Sequence, residues 1–254
     1  MFQILVSYID KHDNLSLEPL LDLLVNFTHD MGAEYFMDMY EEAMVCLTKL
    51  ALHISSIGEN STTTNKLMSN DNVIQWDFTA IAFIFKHLSK DLAKEDGLRI
   101  TLKVFYPCLI LVKRQYISRF AAEAISFLFK KSNDAAISVV VEFFKEKLQA
   151  DDDLNDQEKA AFQQSMVILF SESVKNVSNA YHTKPLNIVL KLLMNNALEP
   201  VMCNVYCDVV ISMLAHGTAE NVVPIYEITI GYLENYTSYN NPESFSCAFQ
   251  ILST

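Results

Sequence analysis

The chain has 254 residues, of which 51% are hydrophobic and 20% charged, and it carries a net charge of −12. That length and apolar content exclude disorder along the whole chain, and the acidic total argues against nucleic-acid binding by bulk attraction. Only 5 Gly and 6 Pro are present, well under the ~7% and ~5% of average usage, so a sheet protein built on many tight turns is disfavoured and an all-helical chain favoured.

Ser16 is placed to cap a first helix to about Met31, with Leu17, Leu20, Leu21, Leu24 and Phe27 on its apolar face. Gly32 permits a turn, and a longer helix is expected from about Glu34 to Ser56. Residues Gly58–Asp71 are polar and rich in Ser, Thr and Asn, which reads as a loop. A strong helix follows over Asn72–Leu92, with Trp76, Ala80, Phe83, Ile84 and Leu88 in phase. Its partner spans about Gly97–Val112, where Pro107 removes a backbone donor and should kink it.

Residues 117–131 then read ISRFAAEAISFLFKK. Phe120, Ala124, Phe127, Leu128 and Lys131 fall at helical spacing, which predicts an apolar face. Ala121, Ala122 and Ala124 keep the helix slim enough for a neighbour to approach closely. Lys130 and Lys131 suit the helix C-terminus, whereas Arg119 opposes the dipole at the other end. Asn133 or Asp134 caps the next helix, which runs to about Leu148. An acidic loop is expected at 150–156, then helices at about 157–181, 184–196, 199–216 and 219–238, and a partial helix from Pro242. Thr183 and Pro185 mark the start of one of them.

The first helices of successive pairs start near 16, 72, 116, 157 and 199. Without the 58–71 loop the spacing is about 41–44 residues, the period of HEAT and armadillo arrays. The expected fold is all-α: one HEAT/armadillo-like α-solenoid segment of about five stacked antiparallel helix pairs. An irregular helical domain is the alternative.

Motifs for chemistry are absent. The sequence contains no His-Glu-x-x-His, Cys-x-x-Cys or P-loop pattern, and no Gly-x-Ser-x-Gly elbow. Six histidines are scattered along the chain. Cys203 and Cys207 sit at i,i+4 but lack two further zinc ligands. Asp151, Asp152, Asp153 and Asp156 lack the glycine and the terminal Glu of a calcium loop. Asp30, Glu34, Asp38, Glu41 and Glu42 read as a solvated face. No cofactor, metal or small-molecule substrate is implied, and the chain is expected not to be an enzyme. The five cysteines lie in apolar segments and fit buried free thiols of a reducing compartment. No apolar run approaches the ~18 residues of a membrane span, so no membrane partner is expected, and the N-terminus lacks the pattern of a signal peptide. The glycosylation triplets at Asn26 and Asn176 read as chance matches within helices.

Charge is distributed unevenly. Residues 1–85 carry −9, residues 86–131 carry +6, and residues 132–254 carry −9. Lys113, Arg114, Arg119, Lys130 and Lys131 in this basic belt are the candidate contacts for RNA phosphate or an acidic partner. Of the aromatic cluster Trp76, Phe78, Phe83 and Phe85, most rings should pack in the core, and any ring facing out is available for base stacking.

The segments Ile74–Leu92 and Tyr116–Lys131 resemble the U-three small nucleolar RNA-associated protein twenty family, also called down-regulated in metastasis. Leu17–Met31 and Glu172–Leu193 resemble the regions on either side, in the same order, and the Arg119–Glu123 stretch is the most specific part. The resemblance implies a HEAT-repeat scaffold of the small-subunit processome. It implies a nuclear, nucleolar location and a role in maturing the small-subunit (18S) ribosomal RNA. The implied partners are processome proteins, pre-ribosomal RNA and the small nucleolar RNA particle. Family members are far longer, so the chain would be an N-terminal piece or one segment. A HEAT-repeat transport receptor or adaptor binding basic cargo is the competing expectation, suited by the acidic total.

Overall fold

In the computed structural model the described residues are 17–31, 37–57, 64–129, 131–149 and 154–174, with scattered positions between 207 and 253. They form seven helices and no strand: α1 (Leu17–Met31), α2 (Tyr40–Ile57), α3 (Thr64–Leu92), α4 (Glu95–Leu109), α5 (Gln115–Phe129), α6 (Asp134–Gln149) and α7 (Asp156–Val174). The all-α expectation therefore holds over the described residues. The helices expected at 184–196, 199–216 and 219–238 fall largely or wholly outside them, as do Ser16, Thr183 and Cys203.

Each helix packs against the helix two places further on: α1 on α3, α2 on α4, α3 on α5, α4 on α6 and α5 on α7. Contacts between sequence neighbours, such as α2 with α3 and α4 with α5, tie the two rows together. The core lies between them. Tyr40, Phe85, Phe105, Phe129, Phe144, Phe162 and Phe170 are its largest buried rings. Phe144 stacks on Phe162 with centroids 4.7 Å apart, and Phe129 meets Phe170 edge-on at 5.6 Å, so α5, α6 and α7 share one aromatic cluster. The buried hydroxyl of Ser165 on α7 donates to the carbonyl of Leu109 at 2.8 Å, satisfying an acceptor at the α4 terminus.

Local signals explain several boundaries. Asn133 caps α6, its Oδ1 accepting the Ala136 N–H at 2.9 Å, which settles the choice between Asn133 and Asp134. Asn155 caps α7 by accepting the N–H groups of Gln157 and Glu158, each at 3.0 Å. Glu158 returns the bond to the Asn155 N–H at 3.0 Å, completing a reciprocal box. This corrects the acidic-loop reading at its end. Leu154 is buried and Asn155–Asp156 begin the helix, while 150–153 lie outside the described residues.

The polar stretch expected to be a loop to Asp71 is helical from Thr64 onward. Between Gly58 and Asp71 no further Gly or Pro occurs to break the helix, and polar composition alone does not end one. The correction also removes the even spacing inferred for the helix starts. Leu17, Gln115 and Asp156 lie within one residue of the expected positions, but Thr64 precedes the expected 72. Helix α2 runs from Tyr40 after a turn at Asp38 and Met39, while the expected start at Glu34 lies outside the described residues. Pro107 occupies the last turn of α4, two residues before it ends, so it removes one of the helix's final backbone donors.

The face of α5 is rotated from the expected one. Ile117, Ser118, Ala121, Ala122, Ile125, Ser126, Leu128 and Phe129 are buried, whereas Phe127 is exposed and Phe120 and Ala124 are only half-buried. Two serines among the buried positions hide this face from a hydrophobicity count. Ser118 repays its burial by donating to the Gln115 carbonyl at 3.0 Å. The slim-helix reading survives at Ala121 and Ala122, which are fully buried. Ala122→Trp should therefore cost ~1–3 kcal/mol or more through overpacking, and Ala124→Trp distinctly less. Equal denaturation midpoints for the two variants would contradict this assignment of the face.

Candidate nucleic-acid interface

The candidate residues cluster around the connection between α4 and α5. Helix α4 closes with N–H bonds from Ile110 to the Tyr106 carbonyl and from Leu111 to Cys108, both at 3.3 Å. Arg114 then takes a left-handed backbone, with φ of 61°, a conformation side-chain-bearing residues rarely adopt. Its carbonyl accepts the Ile117 N–H at 2.9 Å and so starts α5. Lys113 and Val112 are exposed on this turn. The Arg114 guanidinium donates to the Tyr116 hydroxyl at 3.3 Å, which holds it beside the first turn of α5.

Arg119 stands one turn further on, and its Nε donates to Glu123 Oε1 at 2.7 Å. That hydrogen bond, then the Glu123 charge, raises the affinity of Arg119 for its proton, and Glu172 on α7 adds to it. Arg119 thus carries local compensation that Glu123 provides from the i+4 position, a favourable helix spacing. Lys131 is at the opposite end of α5, roughly 18 Å from Arg119 by helix rise. Its ammonium donates to Ser89 Oγ at 2.9 Å and lies 4.4 Å from the Phe127 ring centroid. It ties α5 to the end of α3 rather than projecting freely. Lys130 lies outside the described residues. The structure therefore brings together Lys113, Arg114 and Arg119, and separates Lys131 from them.

The linear charge segments also interleave in space. Lys103 of the basic belt pairs with Glu41 of the acidic N-terminal segment at 2.6 Å, and Lys94 pairs with Asp91 at 2.7 Å. Both pairs are exposed, where such contacts are worth little. Their effect here is to neutralise part of the belt.

Beside that turn the structure contains a groove the sequence did not disclose. It has a volume of about 690 Å³ and runs between α3 and α5, lined by Ile74, Gln75, Phe78, Thr79, Ala82, Phe83, Lys86, Tyr116 and Phe120. Phe78 and Phe120 stack face to face across it, with centroids 3.7 Å apart and planes within 5°. Phe83 and Tyr116 are 40% and 41% exposed. Of the aromatic cluster named from sequence, Phe85 is buried against Phe105 and Trp76 packs on the core, so Phe78 and Phe83 are the rings that face this groove. On the other side of Tyr116 a second groove, of about 720 Å³, is lined by Gln115, Ser118, Arg119, Gln157 and Gln164 among others.

Among the described residues no cluster of His, Cys, Asp and Glu is arranged to hold a metal ion, and no helix is long and apolar enough to cross a membrane. Cys46, Cys108 and Cys207 are buried and in no disulfide.

Two relatives are similar along nearly the whole chain. A protein of Saccharomyces cerevisiae called U3 small nucleolar RNA-associated protein 20 is 34% identical over 232 residues, or 90% of this chain. The chain is homologous to a segment of that protein. The Schizosaccharomyces pombe protein of the same name is 30% identical over 235 residues, or 91% of the chain. The chain spans only 8% of the length of each. No protein-family model matches it.

Proposed function

We propose that this chain is a non-catalytic scaffold segment of the small-subunit processome, a nucleolar assembly that matures small-subunit ribosomal RNA. The observation that carries the reading is the similarity to two proteins named for association with U3 small nucleolar RNA, at 34% and 30% identity over nine-tenths of the chain. The packing of every helix on the one two places further along supports a stacked HEAT-like solenoid, in which each pair buries its stripe against its neighbours. Processome proteins and pre-ribosomal RNA are the partners this reading assigns. On this reading the α4–α5 turn is the RNA-facing element, because Lys113 is exposed there and the half-buried Arg114 is held beside the exposed ring of Tyr116. Lys131, engaged with Ser89 and Phe127, acts structurally instead.

Phosphate contacts release counterions, so affinity for single-stranded RNA should fall steeply with salt. Lys113→Ala with Arg114→Ala should reduce the logarithmic salt slope by roughly 0.7 per lost contact. Arg119→Ala should change it less, because Glu123 already compensates that charge. Circular dichroism should show no loss of helix in any of them. Failure of the double variant to alter the slope would remove the turn from the RNA-facing surface. Salt-sensitive binding of basic peptides, with none of RNA, would favour an adaptor for basic cargo, a role compatible with the net charge of −12.

A further inference from the structure

We infer that the groove between α3 and α5 is a stacking site for an unpaired nucleobase of single-stranded RNA; the inference rests on the RNA-facing reading of the adjoining turn. Four rings meet in it, and two of them, Phe83 and Tyr116, keep about two-fifths of their surface open. Aromatic faces accept any base, which is how single strands are held without a fixed sequence. Phe78 and Phe120 stack on each other, so Phe83 and Tyr116 are the rings left to receive a base. Lys86 lines the same groove, is exposed, and has no ion-pair partner among the described residues. Arg114 is bonded to the hydroxyl of Tyr116 at the groove's other rim. Cations at both rims of a groove walled by rings suit a ligand with an apolar, planar body and an anionic backbone. Gln75 adds an amide able to donate and accept at a base edge.

The second groove extends the path. Tyr116 borders both, and past it come Arg119 and the amides of Gln115, Gln157 and Gln164. A strand crossing the start of α5 would place one base among the rings and its neighbour among the amides, with the intervening phosphate near Arg114 and Arg119. An acidic amphipathic helix fits this arrangement less well. It would take up the apolar wall but leave the amide-lined groove beyond Tyr116 unused.

The test is fluorescence anisotropy of the full chain with labelled oligouridine, oligoadenosine and an RNA duplex of equal length. The parent should prefer the single strands. Phe83→Leu and Tyr116→Leu, which keep apolar bulk and remove a ring, should each weaken single-strand binding about five- to 150-fold, the scale of one lost base stack. Neither should alter the salt slope or duplex binding. Tyr116→Phe should retain most of the affinity. Circular dichroism of each variant checks the fold, and exposed positions make both leucine variants tolerable. If both leucine variants bind like the parent while the Lys113 and Arg114 double variant still loses salt slope, the groove inference falls and the RNA-facing turn stands. If the parent binds no RNA, both fall. Binding of an acidic amphipathic peptide that Phe83→Leu abolishes, without single-strand preference in the parent, assigns the groove to a protein and overturns the proposal.

Discussion

Asp77→Asn should stabilise the protein near neutral pH and flatten its stability against pH. Asp77 is fully buried on α3, and neither carboxylate oxygen has a hydrogen-bond partner. Burial alone pushes its pKa well above the ordinary carboxylate range. Burial, and then Asp77 once it ionises, pushes the thiol of Cys108 on α4 up to about 12. The folded chain therefore keeps a proton that the unfolded chain releases above its ordinary pKa of 3.8. Where the unfolded state binds fewer protons, stability falls as pH rises. The contribution is fully favourable below that value and is lost progressively above it, until the folded pKa is passed. An Asn has no charge to bury in either state. It should raise stability by about 1–3 kcal/mol at neutral pH, the scale on which unpaired buried groups act, and should offer no gain at pH 3. Chemical denaturation of both proteins between pH 3 and 8 checks this. Parallel pH curves would mean that Asp77 finds a partner or reaches solvent.

Gly97→Ala should destabilise the protein although it replaces the poorer helix former. The residue is buried in the first turn of α4, directly after the two-residue link from α3. A Cβ there would lie 2.6 Å from the Leu92 Cα and 2.7 Å from the Asp91 carbonyl oxygen. Both are backbone atoms, so relief requires the link itself to move. Helix propensity favours Ala by about 0.8–1 kcal/mol, whereas forced backbone shifts cost typically 1–3 kcal/mol and occasionally more. The clash should win. The displacement would also disturb Thr101, which donates to the Gly97 carbonyl at 2.7 Å and shares a bond of 2.8 Å with the buried Tyr40 hydroxyl. A raised melting temperature for Gly97→Ala would show that the link has room.

Signals that act within four residues were readable in part. Asn133 was legible as one of two candidate caps, its short amide reaching the N–H three positions on, whereas Asn155, which caps α7 in the same way, fell within the expected acidic loop. The start of α3 was not readable, since Ser, Thr and Asn suggest a loop by composition while nothing between Ser61 and Asp71 breaks a helix. The buried face of α5 was misjudged because Ser118 and Ser126 are buried and Phe127 is exposed, against their usual preferences. The groove was only half legible. Phe78 and Phe83 belong to a cluster of four rings expected mostly in the core, with stacking left to any ring facing out, but Tyr116 and Phe120 lie some 40 residues further along, and only the packing of α3 on α5 brings them together. The partial neutralisation of the charge belt was illegible for a similar reason. Glu41 and Lys103 are 62 positions apart, and their pairing is a property of the fold.

Crosslinking of RNA to the protein within intact particles, with the crosslinked peptides mapped, tests the central claim most directly. The account predicts crosslinks at Lys113–Tyr116 and at Phe83–Lys86, the two sides of the aromatic groove. Reproducible RNA crosslinks elsewhere that consistently avoid residues 86–131, together with protein crosslinks from an acidic neighbour at Lys113, would contradict it.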